Sequence, residues 1–164
     1  MAELTSNLKV PRDQVGERIS DLLANLKAAE KKIAQFEAKA LSERVPAIVA
    51  NGVTVGDVVL VSENVGSVAS TDELRSLVTS VRGQIGASAA VVALAASVDG
   101  KPSVIVATTE GARERGHKAG TLAKLAAGIL GGGGGGKDDL AQGGGSDVSA
   151  IASALDAISA SVKG

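Results

Sequence analysis

With 164 residues the chain can close one ordinary hydrophobic core and still carry an extension. Hydrophobic residues make up 45% of it but aromatics only 1%, so Ala, Val, Leu and Ile must build that core. Seventeen basic against 18 acidic residues, one histidine and no cysteine exclude whole-chain basicity, a disulfide framework, a thiolate nucleophile and a multi-histidine zinc site.

A catalytic triad could draw only on His117, so neither enzymatic chemistry nor a metal or cofactor is expected. No stretch approaches the ~20 apolar residues that span a bilayer. The chain opens on acidic and polar residues and lacks cysteine. A soluble, cytoplasmic protein without a membrane partner is the expectation.

The first element predicted is a long helix over 12–44. Val15, Ile19, Leu22, Leu26, Ala29, Ile33, Phe36 and Ala40 recur in steps of four and three, the seam spacing of a coiled coil, and charged residues fill the positions between. At ~1.5 Å per residue such a helix spans roughly 50 Å, long for one packed within a small domain. It pairs with another helix or spaces two parts. Pro46 breaks the pattern and Asn51-Gly52 stops it, placing a helical stalk at 1–51 and a globular domain at 52–164.

In the globular part, Val58 to Val61 reads as a buried strand. Ser70, Thr71 and Asp72 offer caps for a helix with Leu74, Leu77, Val78, Val81 and Ile85 on one face, closed by Gly86. Ala89 to Val98 and Ser103 to Thr108 read as strands joined at an Asp99-Gly100 hairpin turn. A helix from about His117 to Leu130 has Leu122, Leu125, Ala126 and Ile129 facing inward. A last amphipathic helix carries Val148, Ile151, Leu155, Ile158 and Val162, capped by Ser146 or Asp147. The fold class is therefore α/β in the α+β sense: a coiled-coil-like stalk, then a small mixed β-sheet packed with helices and a glycine-rich loop.

That loop holds Gly131, Gly132, Gly133, Gly134, Gly135 and Gly136, then Lys137-Asp138-Asp139-Leu140-Ala141-Gln142, then Gly143, Gly144 and Gly145. Each glycine costs more backbone entropy on ordering than any other residue. A flexible linker would explain them, but the segment lies between two amphipathic helices of one domain and is interrupted by charged residues. Two readings remain: tight packing of backbone on backbone, or N–H groups presented to an anion with Lys137 adding charge. It is not a Walker A loop, because Asp138 follows Lys137.

The run Lys118-Ala119-Gly120-Thr121-Leu122, followed by the glycine–Lys–Asp–Asp–Leu–Ala–Gln–glycine segment, resembles the C-terminal signature of bacterial alanyl-tRNA synthetases. Leu8-Lys9-Val10-Pro11, the heptads after it and Val98-Asp99-Gly100-Lys101 are similar to the same region in the same order. The resemblance implies the tail of an alanine–tRNA ligase, without the aminoacylation and editing domains that precede it in the family. It implies a non-catalytic module that engages the tRNA body at its elbow and helps link aminoacylation to editing. Its partners would be tRNA, of the alanine type, and the rest of the synthetase. Some members dimerise through this region, so an oligomerisation module or homodimer, through stalk or globular domain, is one alternative. The related domain of DHH-type phosphoesterases, which helps hold nucleotide or nucleic-acid substrates, is another. One position departs from the family pattern: Asp138 stands where proline is common, and its carboxylate is expected to weaken phosphate attraction.

Between Arg113 and Lys137 the cations Arg113, Arg115, Lys118, Lys124 and Lys137 face a single acid, Glu114. Arg113, Arg115, Lys118, Lys137, Gln142 and the Gly131–Gly136 backbone are the candidate RNA contacts; Lys124 alone fits a solvated helix face. Asp139 and Gly143–Gly145 are assigned structural roles, Asp139 accepting neighbouring backbone N–H groups. For His117 capping or packing is favoured over contact with RNA. Without Tyr or Trp there is no aromatic platform for stacked bases, so recognition of a folded RNA through its backbone and shape is the better fit.

Overall fold

A computed structural model of the chain describes residues 11–86 and 88–164. Leu8, Lys9 and Val10 of the resemblance lie outside the described residues. The chain divides into two compact units, one ending at Lys39 and one running from Ala40 to Gly164.

The first unit is helical. A single 3-10 turn, Arg12–Gln14, leads into helix α1, Val15–Glu43, with Glu17 in its first turn where an acid suits the helix dipole. The predicted seam is present, but Ile19, Leu22, Leu26, Ile33 and Phe36 are all exposed, Phe36 at 72%. No residue of α1 is buried. Pro46 does not simply end the helical region: it occupies the first turn of a second short helix, α2, Val45–Ala50, where a missing N–H costs nothing. Val45 and Ile48 of α2 are buried in the core of the second unit, so residues 40–51, attached to the stalk in the sequence, pack with the globular unit.

Six strands form the sheet: β1 (Val53–Val55), β2 (Val58–Ser67), β3 (Ala90–Val98), β4 (Lys101–Thr108), β5 (Gly134–Gly136) and β6 (Leu140–Gly144), in spatial order β1-β2-β3-β4-β6-β5. Only β2 and β3 run parallel, bridged by helix α3, Thr71–Ile85, as a parallel pair requires a crossover; the other neighbours are antiparallel. Ser70 caps α3 by accepting the Glu73 N–H at 3.2 Å. Asp99 (φ 49°) and Gly100 (φ 75°) make the predicted hairpin turn, with Val98 opposite Lys101.

Both faces of the sheet are covered near its centre, which is why β3 reads as an unbroken apolar run rather than an alternating one. On one face Val91, Ala93, Val104, Val106 and Ala141 meet helices α5 (Ala119–Ile129) and α6 (Ile151–Lys163). On the other Val92, Leu94, Ile105 and Ala107 meet α2 and α3. The small side chains of β3 and α5 let these layers approach closely. A further short helix, α4 (Glu110–Glu114), follows β4. Helix α6 begins after a 3-10 turn at Val148–Ala150 capped by Asp147. Its carboxyl accepts Ser149 Oγ at 2.5 Å and Ser149 N at 3.0 Å, and these bonds hold it below the usual aspartate range. Leu125 and Ile129, assigned inward in the sequence, are partly exposed; Ala119, Leu122, Ala123, Ala126 and Ala127 carry the buried face of α5.

The glycine segment is sheet, not loop. Helix α5 closes in a Schellman turn: Gly132 N–H donates to Ala127 O at 2.9 Å and Gly131, at φ 75°, donates to Gly128 O at 3.3 Å. The chain then runs as edge strand β5, reverses and returns as β6. Gly134 and Gly143, paired across the two strands, lie against α5; a Cβ on either would stand 2.8 Å from Ala123 O. A Cβ at Gly132 would overlap Gly144 O, and one at Gly145 would overlap Leu130 O. Gly133, by contrast, faces open space. Gly132→Ala, Gly134→Ala and Gly145→Ala are therefore expected each to destabilise the domain by roughly 1–3 kcal/mol or more, while Gly133→Ala stays within about 0.5 kcal/mol of the parent. Chemical denaturation of the four variants checks the alternation.

Candidate functional site

The candidate site gathers where the β5–β6 turn meets the start of α5 and the end of β4. Thr108, the last residue of β4 and fully buried, organises it. Its N–H donates to Asp139 O at 2.9 Å, its Oγ1 donates to Asp138 O at 2.6 Å, and its own carbonyl accepts Arg113 Nη1 at 2.9 Å. Asp138 O also accepts the Ala119 N–H at 2.9 Å, which pins the turn to the first residue of α5. Gly120 lets the turn come this close: a Cβ there would sit 3.2 Å from Gly136 O. Every hydrogen bond that shapes the turn thus uses main-chain carbonyls, leaving the charged side chains outward.

Of the predicted cations, Arg113, Lys118 and Lys137 come together here. Lys118 Nζ pairs with Asp138 Oδ2 at 3.2 Å, both side chains more than half exposed. The departure from the family pattern therefore has a definite partner: Asp138 offsets the charge of Lys118. Lys137 is exposed and, among the described residues, engages no ion pair. Arg115 turns elsewhere, its Nη1 donating to Gly111 O at 2.8 Å. His117 is half-buried, and its backbone N–H donates to Ala112 O at 3.0 Å, terminating α4. Lys124 is not on a purely solvated helix face: its Cε lies 3.8 Å from where a Cβ at Gly135 would stand, so it reaches around the free edge of β5.

Asp139 has the expected structural place by a different route. Its carbonyl, not its carboxylate, is used, accepting Thr108 N–H and Arg82 Nη1, the latter at 3.1 Å. Gln142 points from β6 to the α3 side of the sheet, where its Oε1 accepts Arg75 Nη2. Gly143 lies against α5, Gly144 opposite Ser103 on β4, and Gly145 donates its N–H to Pro102 O at 3.3 Å.

Arg75 and Arg82 were not among the sequence candidates. They lie two turns apart on α3, over fifty residues before the glycines they reach, and only the sheet order brings them together. Their spacing of seven, one helix stripe, was the available signal, but nothing local ties that stripe to a strand so distant.

This fold and site define a family. Residues 55–164 match the DHHA1 domain, and the chain belongs to the DHHA1 domain family. Within it the alanyl-tRNA synthetase type is the one it resembles in sequence and fold. Over 158 residues the chain is 61% identical to an alanine–tRNA ligase of Clavibacter sepedonicus, covering 96% of this chain and 18% of that protein. It is 51% identical over 162 residues to that of Leifsonia xyli subsp. xyli, covering 99% and 18%. The crystal structure of the C-Ala domain from Aquifex aeolicus alanyl-tRNA synthetase superposes with a TM-score of 0.62 at 27% identity, over 70% of this chain and 99% of that one. The chain thus spans less than a fifth of the length of these curated relatives. Among the described residues no helix is long and apolar enough to cross a membrane.

Thr108→Val keeps the shape of the side chain and removes one buried donor. It is expected to cost about 1 kcal/mol of global stability and to loosen the turn first. Amide hydrogen exchange at Lys137–Leu140 should accelerate well before that at β3; equal acceleration at both would show that Thr108 does not anchor the turn.

Proposed function

We propose that the globular unit docks tRNA, acting as the non-catalytic C-terminal module of an alanyl-tRNA synthetase. The observation that carries this reading is the ordering of the glycine segment: its turn is fixed by main-chain bonds around Thr108, and Arg82, Arg113, Lys118 and Lys137 border it. Positive groups held on a rigid turn suit phosphates at defined spacing, and contacts of this kind give affinity without reading sequence. The similarity to alanine–tRNA ligases supports the partner: tRNA of the alanine type, with the remainder of the synthetase supplying aminoacylation and editing. Placement at the elbow of the tRNA, in the cytoplasm, belongs to the same proposal.

A second role has its own observation. The exposed apolar face of α1, from Ile19 to Phe36, suits a partner helix, and a second copy of the chain could supply it. Light scattering should then give twice the chain mass, reverting to the monomer with Leu22→Glu and Leu26→Glu; a monomer at high concentration removes this role.

RNA binding is tested by titrating an alanine tRNA transcript at several salt concentrations. If ~4 phosphates are contacted, log affinity should fall with log salt at a slope of about −3 to −4. Lys118→Glu with Lys137→Glu should abolish binding while leaving the thermal midpoint unchanged. Asp138→Asn should act in the opposite direction, releasing Lys118 and strengthening binding about two- to fivefold, the worth of an exposed pair. Absence of binding at low salt would overturn the reading.

A further inference from the structure

The packing of glycine against α5 explains only half of the glycine segment. Strand alternation directs Gly134 and Gly143 toward α5, where a Cβ has no room. Gly133 and Gly135 take the other face, the one Gln142 shares, and there a Cβ meets nothing within 4 Å at Gly133 and only the tip region of Lys124 at Gly135. Neither residue has a positive φ. Sterics and backbone conformation would admit a side chain at both, yet the strand has none.

On that face α3 packs against β3 and β4 and stops short of the last two strands. The result is an open groove of about 820 Å³ floored by Gly133, Gly135, Gly144 and Ser103. It runs on through Gly135 and Gln142 into a second hollow of about 430 Å³ bordered by Arg75 and Lys137. The floor is bare peptide plane. Lys101, Arg75 and Lys137 stand at the rim, and among the described residues none of the three engages an acid in an ion pair. Arg75 is held instead by the neutral amide of Gln142, which leaves its charge uncompensated.

We propose that this groove is a nucleotide-binding site for one unpaired residue of an RNA, its base lying flat on the Gly133–Gly135 backbone. A flat ring needs a flat floor, and in a chain without Tyr or Trp the peptide planes of side-chain-free residues supply one. Gln142 offers both a donor and an acceptor to the edge of the base, as an amide can pair in two directions. Arg75 and Lys101 meet the adjoining phosphates. The proposal rests on the RNA-docking reading and extends it: the turn near Thr108 holds backbone, and the groove on the α3 side holds a base.

The test adds side chains where the domain has room for them. Gly133→Val and Gly135→Val should lower affinity for the alanine tRNA transcript at least tenfold. The thermal midpoint should not fall, and the salt slope should be unchanged because no phosphate contact is lost. In NMR titrations of the whole chain, adenosine 5′-monophosphate should shift the amides of Gly133, Gly135 and Gln142, and the valine variants should abolish those shifts. If both valine variants bind the transcript as the parent does while Lys118→Glu with Lys137→Glu abolishes binding, the groove is overturned and the docking face stands. If the charge reversals leave binding intact but the valine variants remove it, the groove stands and the docking face fails. If neither set changes binding, both fail.

Discussion

The contact on which the globular unit depends is the seating of the β5–β6 hairpin against α5. Gly134 and Gly143 come within Cβ distance of Ala123 O and Ala127, and at both ends of the hairpin main chain meets main chain: Gly132 with Gly144, Gly145 with Leu130. Dispersion and hydrogen bonding between bare backbones take the place that interdigitated side chains hold in most cores. Because the approach is so close, the helix, the hairpin and the end of β4 behave as one block, and the turn at Asp138 inherits its rigidity. A chain with almost no aromatic area reaches adequate burial by this thinning of the layers rather than by large side chains.

The same block sets the electrostatics. Charged side chains in and around the turn are free to face outward since the main chain alone satisfies the buried bonds. Asp138 and Lys118 then adjust one another across 3.2 Å, so the turn presents a net charge smaller than its count of cations suggests. A near-neutral chain can hold a local cationic surface only if acids elsewhere balance it, and the position of each acid relative to the turn matters more than the total.

Much of the fold was legible in the sequence. The Ser70 cap and the periodic face of α3, the Asp99-Gly100 turn and the last helix all follow from local chemistry, and the structure has them. The pieces that were not legible have non-local causes. Strand β2 continues to Ser67 past Ser62, Glu63 and Asn64 because its far end pairs with β3 over a register shift. Strands β5 and β6 have no β-propensity at all; glycine is a poor strand former, and only the helix beneath and β4 beside them decide the matter. Pro46 opens α2 rather than ending α1 because Val45 and Ile48 have a core to enter. Of the site, Arg113, Lys118 and Lys137 were visible as a local run of cations, whereas Arg75 and Arg82 owe their place to strand order.

A strand of identical residues conveys nothing by which residue sits where, so what it specifies is a count. Gly131 is tied to the end of α5 and Lys137 N–H to Leu140 O at 3.0 Å, and the interval between these two anchors decides which peptide units lie beneath the helix and which look outward. One glycine inserted or deleted would exchange the two sets without altering a single side chain. The homopolymer is thus a ruler, and its length is the part of it that selection can read.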